Sequence, residues 1–150
     1  MRVSVIGGGT VDEATYETAA AVGRLLAQRG HTVVCGGLDG VMEAACKGAS
    51  ETGGHTIGIL PGEDPASAND YVETAIATGL GNARNVLVAL NGDGVVAVAG
   101  ATGTLSEIGH ALDFGKPVAG IDTHEVDLPG FAAVETPEEA VEYLESESRA

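Results

Sequence analysis

Three glycine-rich stretches each follow a short apolar run: Gly7-Gly8-Gly9 after Val3–Ile6, Gly36-Gly37 after Thr32–Cys35, and Gly100-Ala101-Thr102-Gly103 after Val95–Val98. Main-chain N–H groups left open by glycine at the start of a helix hold anions, phosphate above all, without needing a lysine. A single loop of this kind is explained equally well as a plain strand-to-helix turn. Three in corresponding places favour a shared anion cradle, and they make Gly8, Gly9, Gly36, Gly37, Gly100, Thr102, Gly103 and Thr104 candidate phosphate-binding residues. Arg84, one of five arginines, falls in the first turn of a helix expected to start near Asn82. A cation there opposes the helix dipole, so a surface ion pair or a bound anion must account for it. Glu107 stands two residues after Leu105 and points away from the core contact expected at Leu105. The spacing Thr104-Leu105-Ser106-Glu107 is that of a capping box. A carboxylate beside bound phosphate can also serve as general acid or base, or stabilise an oxocarbenium-like sugar. Arg84 and Glu107 are therefore the candidate catalytic residues, with Arg84 also a candidate for the anion itself.

Other chemistries find less support. The dinucleotide fingerprint G-x-G-x-x-G breaks at Asp12, whose charge would repel a pyrophosphate, and no Gly-Lys-Ser/Thr of a P-loop occurs. Lys47 is expected in mid-helix and Lys116 at the start of a strand, on the opposite rim, which disfavours covalent lysine chemistry. The four histidines have no ligand spacing, and no metal site is expected. His110, one helical turn beyond Glu107, faces either the rim or solvent. Cys35 and Cys46 form no metal-type or redox pair by spacing and read as two reduced, buried, small hydrophobes.

The elements that must position these residues alternate. Strands are expected at Val3–Ile6, Thr32–Cys35, Thr56–Leu60, Tyr71–Ile76, Val95–Val98 and Pro117–Ile121. The first helix opens at a capping box, Thr10 with Glu13, and stops at Gly30. A second runs from about Gly40 to Glu51. A third buries Ala83, Val86, Leu87 and Leu90, a fourth (about Thr104–Phe114) buries Leu105, Ile108 and Leu112, and a last one opens at Thr136-Pro137-Glu138-Glu139. Glu63–Asn69 reads as loop. Near-continuous apolar strands alternating with helices imply an α/β fold: a three-layer, Rossmann-like, doubly wound parallel sheet, with residues 1–150 as a single domain. In such a sheet ligands bind beyond the carboxyl ends of the strands. The glycine loops all follow strands, whereas His31 and His55 precede them and belong to the other edge.

Charge and composition narrow the partners. The chain carries 22 acidic and 7 basic residues in 150, a net charge of -15, with 23 glycines and 3% aromatics. That balance argues against nucleic acid, whose phosphates need a basic face, and against anionic membrane surfaces. Such self-repulsion is tolerable at molar salt, where the Debye length falls to ~3 Å, so the charge reads as halophilic adaptation. No segment approaches the ~20 apolar residues of a membrane span, and the first apolar run is too short for a signal peptide. A cytoplasmic location is expected.

The stretches Gly36-Gly37-Leu38-Asp39-Gly40-Val41-Met42, Ile57-Gly58-Ile59-Leu60-Pro61, Arg84 and Gly100-Ala101-Thr102-Gly103-Thr104-Leu105-Ser106-Glu107, in this order and spacing, resemble the LOG-like (SLOG) Rossmann superfamily over about Val3 to Ile121. That group includes cytokinin-activating phosphoribohydrolases and molybdenum-cofactor carrier proteins, and the short chain is most similar to the carrier branch. The hydrolases carry Pro-Gly-Gly-x-Gly-Thr-x-x-Glu and an upstream arginine. The resemblance puts Glu107 at the acid, Arg84 at the arginine, and Gly100, Gly103 and Thr104 in the phosphate loop. Ala99 and Ala101 replace the proline and second glycine, Ser106 a common glutamate, and Asn85 the lysine of an Arg-Lys pair. Phosphate binding survives these changes more readily than catalysis. The resemblance thus implies a binding protein for a phosphorylated small molecule, a nucleotide or a molybdopterin-type ligand, with no cofactor required. It also implies a homo-oligomer, dimer or tetramer, with the Arg84 helix near the contact. A nucleoside 5′-monophosphate phosphoribohydrolase and a scaffold without ligand are the other readings.

Overall fold

In the computed structural model, which describes residues 1–149, the apolar runs form parallel strands: β1 Arg2–Gly7, β2 Thr32–Cys35, β3 Thr56–Leu60, β4 Thr74–Ala77, β5 Gly94–Val98, β6 Val118–Ile121 and β7 Phe131–Val134. The helices between them are α1 Glu13–Gln28, α2 Val41–Glu51, α3 Asn85–Asn91, α4 Thr102–Asp113 and α5 Pro137–Ser148. Among the described residues the seven strands form one sheet in the order β4-β3-β2-β1-β5-β6-β7. The order reverses between β1 and β5, where Val3 to Gly7 pair in register with Gly94 to Val98. This reversal opens a crevice beyond the carboxyl ends of the two strands.

Side chains alternate across the strands and feed two cores. Val3 and Val5 of β1 and Val96 and Val98 of β5 join α1, α2 and α5, while Ile6, Val95 and Ala97 join α3 and α4. Ser4, buried on the second side, is satisfied by donating to Val88 O at 2.6 Å. α1 and α2 approach backbone to backbone, because a Cβ on Gly23 would run into Ala45 O and one on Gly48 into Ala20 O. The glycine excess therefore does not all belong to rim loops.

Several local expectations are corrected. The N-cap of α1 is Asp12, whose carboxylate accepts from Thr15 N at 2.8 Å, so Thr10 and Glu13 make no capping box. At its other end Gly30 adopts φ +76, and the N–H groups of Gly30 and His31 close onto Ala27 O and Leu26 O. The fourth strand is β4, Thr74–Ala77, three residues later than Tyr71, since Tyr71 O is engaged by Thr56 Oγ1. β7 stands where no strand was expected; its Phe131-Ala-Ala-Val134 is only partly buried at the sheet edge and has no alternating signal. Glu63–Asn69 contains one 3₁₀ turn, Pro65–Ser67. Thr136 does cap α5, accepting from Glu139 N, and the Glu139 carboxylate returns to Glu135 N.

Candidate functional site

The crevice at the β1–β5 reversal is a cleft of about 210 Å³, lined among others by Gly7, Gly8, Gly9, Gly36, Arg84, Asn85, Gly103, Thr104 and Glu107. Beyond Gly8, Gly9 and Ala101 it continues into an open lobe of about 420 Å³ bordered by Thr10, Asp12, Thr15 and Gly100.

The N-terminus of α4 forms one wall. Its N-cap is Ala101, with no side-chain cap among the described residues and no acid in the first turn. The first helical bond runs from Leu105 N to Ala101 O, which leaves the N–H groups of Thr102, Gly103 and Thr104 free of helical partners. The helix begins two residues earlier than the sequence suggests, so Thr104 and Glu107 form no capping box. They share the inner face with Ile108 and Ala111, while Leu105, expected in the core, is 45% exposed. The loop before α4 turns sharply, with φ of 52° at Ala99 and 96° at Gly100. An alanine in the left-handed region is strained. The loop is held there by Thr123 Oγ1, which donates to Ala99 O at 2.6 Å, and by His124 Nε2, which donates to Ala101 O at 2.8 Å. These two positioning residues escaped sequence reasoning, although they follow β6 on the same rim. His110, by contrast, stacks on Phe114.

α2 also begins on this rim, and its first N–H is already engaged. Val41 N at the start of α2 donates to Gly8 O at 3.0 Å, and Glu43 in its first turn accepts from Tyr16 OH. Gly37 N–H donates to Cys35 Sγ at 3.3 Å, and Gly37 is outside the cleft lining. The glycines thus divide. Gly7 is needed because a Cβ would strike Val98 O, and Gly36 because a Cβ would lie 2.7 Å from Arg84 Nη2. Gly9 meets nothing within 4 Å, and Gly103 only Asn85 Nδ2 at 3.8 Å, so packing leaves their missing side chains unexplained.

Arg84 is not on a surface stripe. It ends a 3₁₀ turn, Gly81–Arg84, that shifts the phase of α3, so that Arg84, Val88 and Ala89 are buried and Ala83 and Leu90 are exposed. Its Nε donates to Ile59 O at 2.8 Å and its Nη2 to Gly36 O at 3.3 Å, tying the ends of β3 and β2 together. This rules out the surface ion pair. Of the five guanidinium N–H donors, three remain for the cleft. Glu107 is buried across the cleft, and burial pushes its carboxyl up to about 7 against the opposing pull of Arg84. Asn85, marked in the sequence only as a replacement for lysine, lines the cleft, and its buried Oδ1 has no hydrogen-bond partner among the described residues. Among the described residues no three His, Cys, Asp or Glu side chains gather as metal ligands would, and no helix is long and apolar enough to cross a membrane.

The whole chain finds close relatives. It is 46% identical over 148 residues to an uncharacterized protein of Archaeoglobus fulgidus, covering 99% of this chain and 97% of that one. The molybdenum cofactor binding protein of Rippkaea orientalis superposes with a TM-score of 0.89 at 34% identity, over 98% of this chain and 96% of that one. The molybdenum cofactor carrier protein of Chlamydomonas reinhardtii gives 0.90 at 31% identity, over 99% and 98%. The model of the SLOG cluster4 family matches residues 1–149, and the chain accordingly belongs to that family.

Proposed function

We propose that this protein binds and carries a phosphorylated, nucleotide-like ligand of the molybdopterin type. The carrying observation is the uncapped start of α4: three N–H groups, no acidic residue in its first turn, and two neighbouring glycines, Gly9 and Gly103, whose side-chain space is free. Gly8, Gly9, Thr102, Gly103 and Thr104 hold the phosphate through main-chain N–H groups, and Arg84 supplies the charge. Gly36 contributes by admitting the guanidinium, and Gly100 by making the turn. Gly37 has its N–H committed to sulfur and shapes the loop only. Asn85 Oδ1 accepts from a ligand N–H or O–H, which satisfies it. The cleft and its outer lobe together reach the ~300–1,000 Å³ of small-molecule sites. The likeness to the Rippkaea and Chlamydomonas proteins supports this choice of ligand class.

Native mass spectrometry of the chain incubated at high salt with molybdopterin or AMP tests the proposal. One phosphorylated molecule per chain is expected, and absence of any complex with either overturns it.

One observation favours a second reading. A buried carboxyl raised to about 7 beside an anion cradle suits a general acid, as release of a base from a nucleoside 5′-monophosphate requires. Free adenine formed from AMP above the level of a Glu107→Ala control would establish it; equal levels would eliminate it.

The exposed Ile76 shares a groove with Leu87 and Asn91 of α3, Leu90 of that helix is exposed as well, and the helix sequence NVLVALN has no charge. In a chain of net charge -15 an uncharged apolar face lets copies meet with little repulsion, which supports a homodimer or tetramer joined near α3.

A further inference from the structure

The two cysteines, 11 residues apart, follow no redox motif, yet the fold brings them together. Cys35 ends β2 and Cys46 lies on α2, with the two sulfurs 3.4 Å apart and both side chains buried. Both are free and buried, as the sequence led one to expect; the contact between their sulfurs is what the spacing did not show. β2 and α2 are successive elements packed against each other, so the contact is built into one strand-loop-helix unit.

We propose that Cys35 and Cys46 are a modification site, a dithiol that hydrogen peroxide converts to an intramolecular disulfide. The position supports this chemistry in three ways. First, Gly36, the residue after Cys35, lines the cleft while both sulfurs are buried behind it, so peroxide in the cleft reaches Cys35 when the β2–α2 loop opens. Second, Gly37 N–H donates to Cys35 Sγ at 3.3 Å, a contact that favours the thiolate. Third, the environments of the two sulfurs differ. The bond from Cys46, the Gly37 N–H and the charge of Arg84 all favour ionised Cys35, whereas Cys46, which makes that bond, is held protonated. Burial, the second-strongest influence on Cys35, and the charge of Glu107 act on it in the opposite sense; burial also helps to hold Cys46 protonated, against a hydrogen bond with Asn69.

Cys35 is then the attacking thiolate. Its sulfur takes one peroxide oxygen, the O–O bond breaks, and the departing hydroxide leaves as water with the Cys35 proton. The resulting sulfenic acid is in contact with Cys46. The Cys46 sulfur displaces the hydroxyl, the S–S bond forms as the S–O bond breaks, and the hydroxyl leaves as a second water with the Cys46 proton. Two thiols are oxidised and one peroxide is reduced to two waters. The product ties the end of β2, and with it the cleft wall at Gly36, to α2.

The test treats the folded chain with hydrogen peroxide, quenches it, and counts thiols after denaturation. Loss of both thiols is expected, with one cross-linked peptide pair containing residues 35 and 46 in a digest without reductant, and with recovery of both thiols in dithiothreitol. Cys46→Ser is expected to stop at a dimedone-reactive Cys35, and Cys35→Ser to leave Cys46 unmodified. Retention of both thiols, or their loss to sulfinic acid or to a disulfide between chains, overturns the proposal. The wild-type arm decides alone if either variant fails to fold.

Discussion

At the scale of single residues the cleft combines groups that stability alone would not select. Glu107 is the clearest. Its folded-state value of about 7 lies above the ordinary 4.5, so the folded form prefers the proton. Stability is full below about pH 4.5 and declines as the pH rises through 7. Glu107→Gln removes the ionisation. It should leave stability unchanged at pH 4 and raise it at pH 8, on the order of 3 kcal/mol, as read from urea unfolding at the two pH values. Gly103 is complementary. Its Cβ position is open apart from Asn85 Nδ2 at 3.8 Å, and it sits in the first turn of α4. Gly103→Ala should therefore stabilise the fold by about 0.5–1 kcal/mol while weakening AMP binding, since the methyl enters the space proposed for phosphate. Calorimetric titration beside thermal unfolding reads both effects, and a variant that binds as well as the parent would exclude Gly103 from the cradle.

At the scale of elements, α1, α2 and α4 all begin on the same rim and differ in how their first N–H groups are satisfied. One early N–H of α1 is met by the Asp12 carboxylate and one of α2 by Gly8 O, whereas α4 has no such partner among the described residues. An acid in the first turn of α4 separates helix stability from anion binding. Thr102→Asp should raise the melting temperature, through the ~0.3–1 kcal/mol of a favourable dipole contact, and should reduce AMP affinity about tenfold or more, a cost of ~1.4 kcal/mol. If both fall together, the residue serves the helix alone. The same comparison explains what could be read in advance. β1, β2, β3, β5, β6 and α5 were legible because apolar runs and a Thr-Pro-x-Glu start are local signals, whereas the edge strands β4 and β7, only partly buried, carry a weaker one. The starts of α1 and α4 were misplaced because a capping pattern competes with longer-range bonds. α4 begins where the strained Ala99–Gly100 turn, held from β6 by Thr123 and His124, releases the chain.

At the scale of the molecule the net charge of -15 lies outside two apolar cores separated by the sheet. Among the described residues ion pairs are few, and those of Arg29 with Glu142 and Glu145 lie on the amino-side edge, where His31 Nε2 is also hydrogen-bonded to Glu145 Oε1. Repulsion among the remaining carboxylates should make stability depend on ionic strength. The melting temperature is expected to rise as salt goes from about 0.1 M to about 1 M and the Debye length shrinks from ~10 Å to ~3 Å. A flat response by differential scanning calorimetry would remove the halophilic reading. The apolar, uncharged surface about α3 belongs to this scale too, because only the assembled sheet brings Ile76 of β4 beside Leu87 and Asn91 of α3.

The sequence by itself determined the alternation of strands and helices, the parallel sheet, and the rim on which Gly8, Gly9, Gly103, Arg84 and Glu107 stand, because apolar runs and glycine turns are properties of neighbours along the chain. Only the tertiary structure decided what each of them is free to do. It committed part of Arg84 to Ile59 O and Gly36 O and left Asn85 Oδ1 without a partner. It raised Glu107 by burial, uncapped α4, and set Cys35 against Cys46. Those outcomes depend on which carbonyls, sulfurs and voids meet across strands distant in sequence, and spacing along the chain does not encode such meetings.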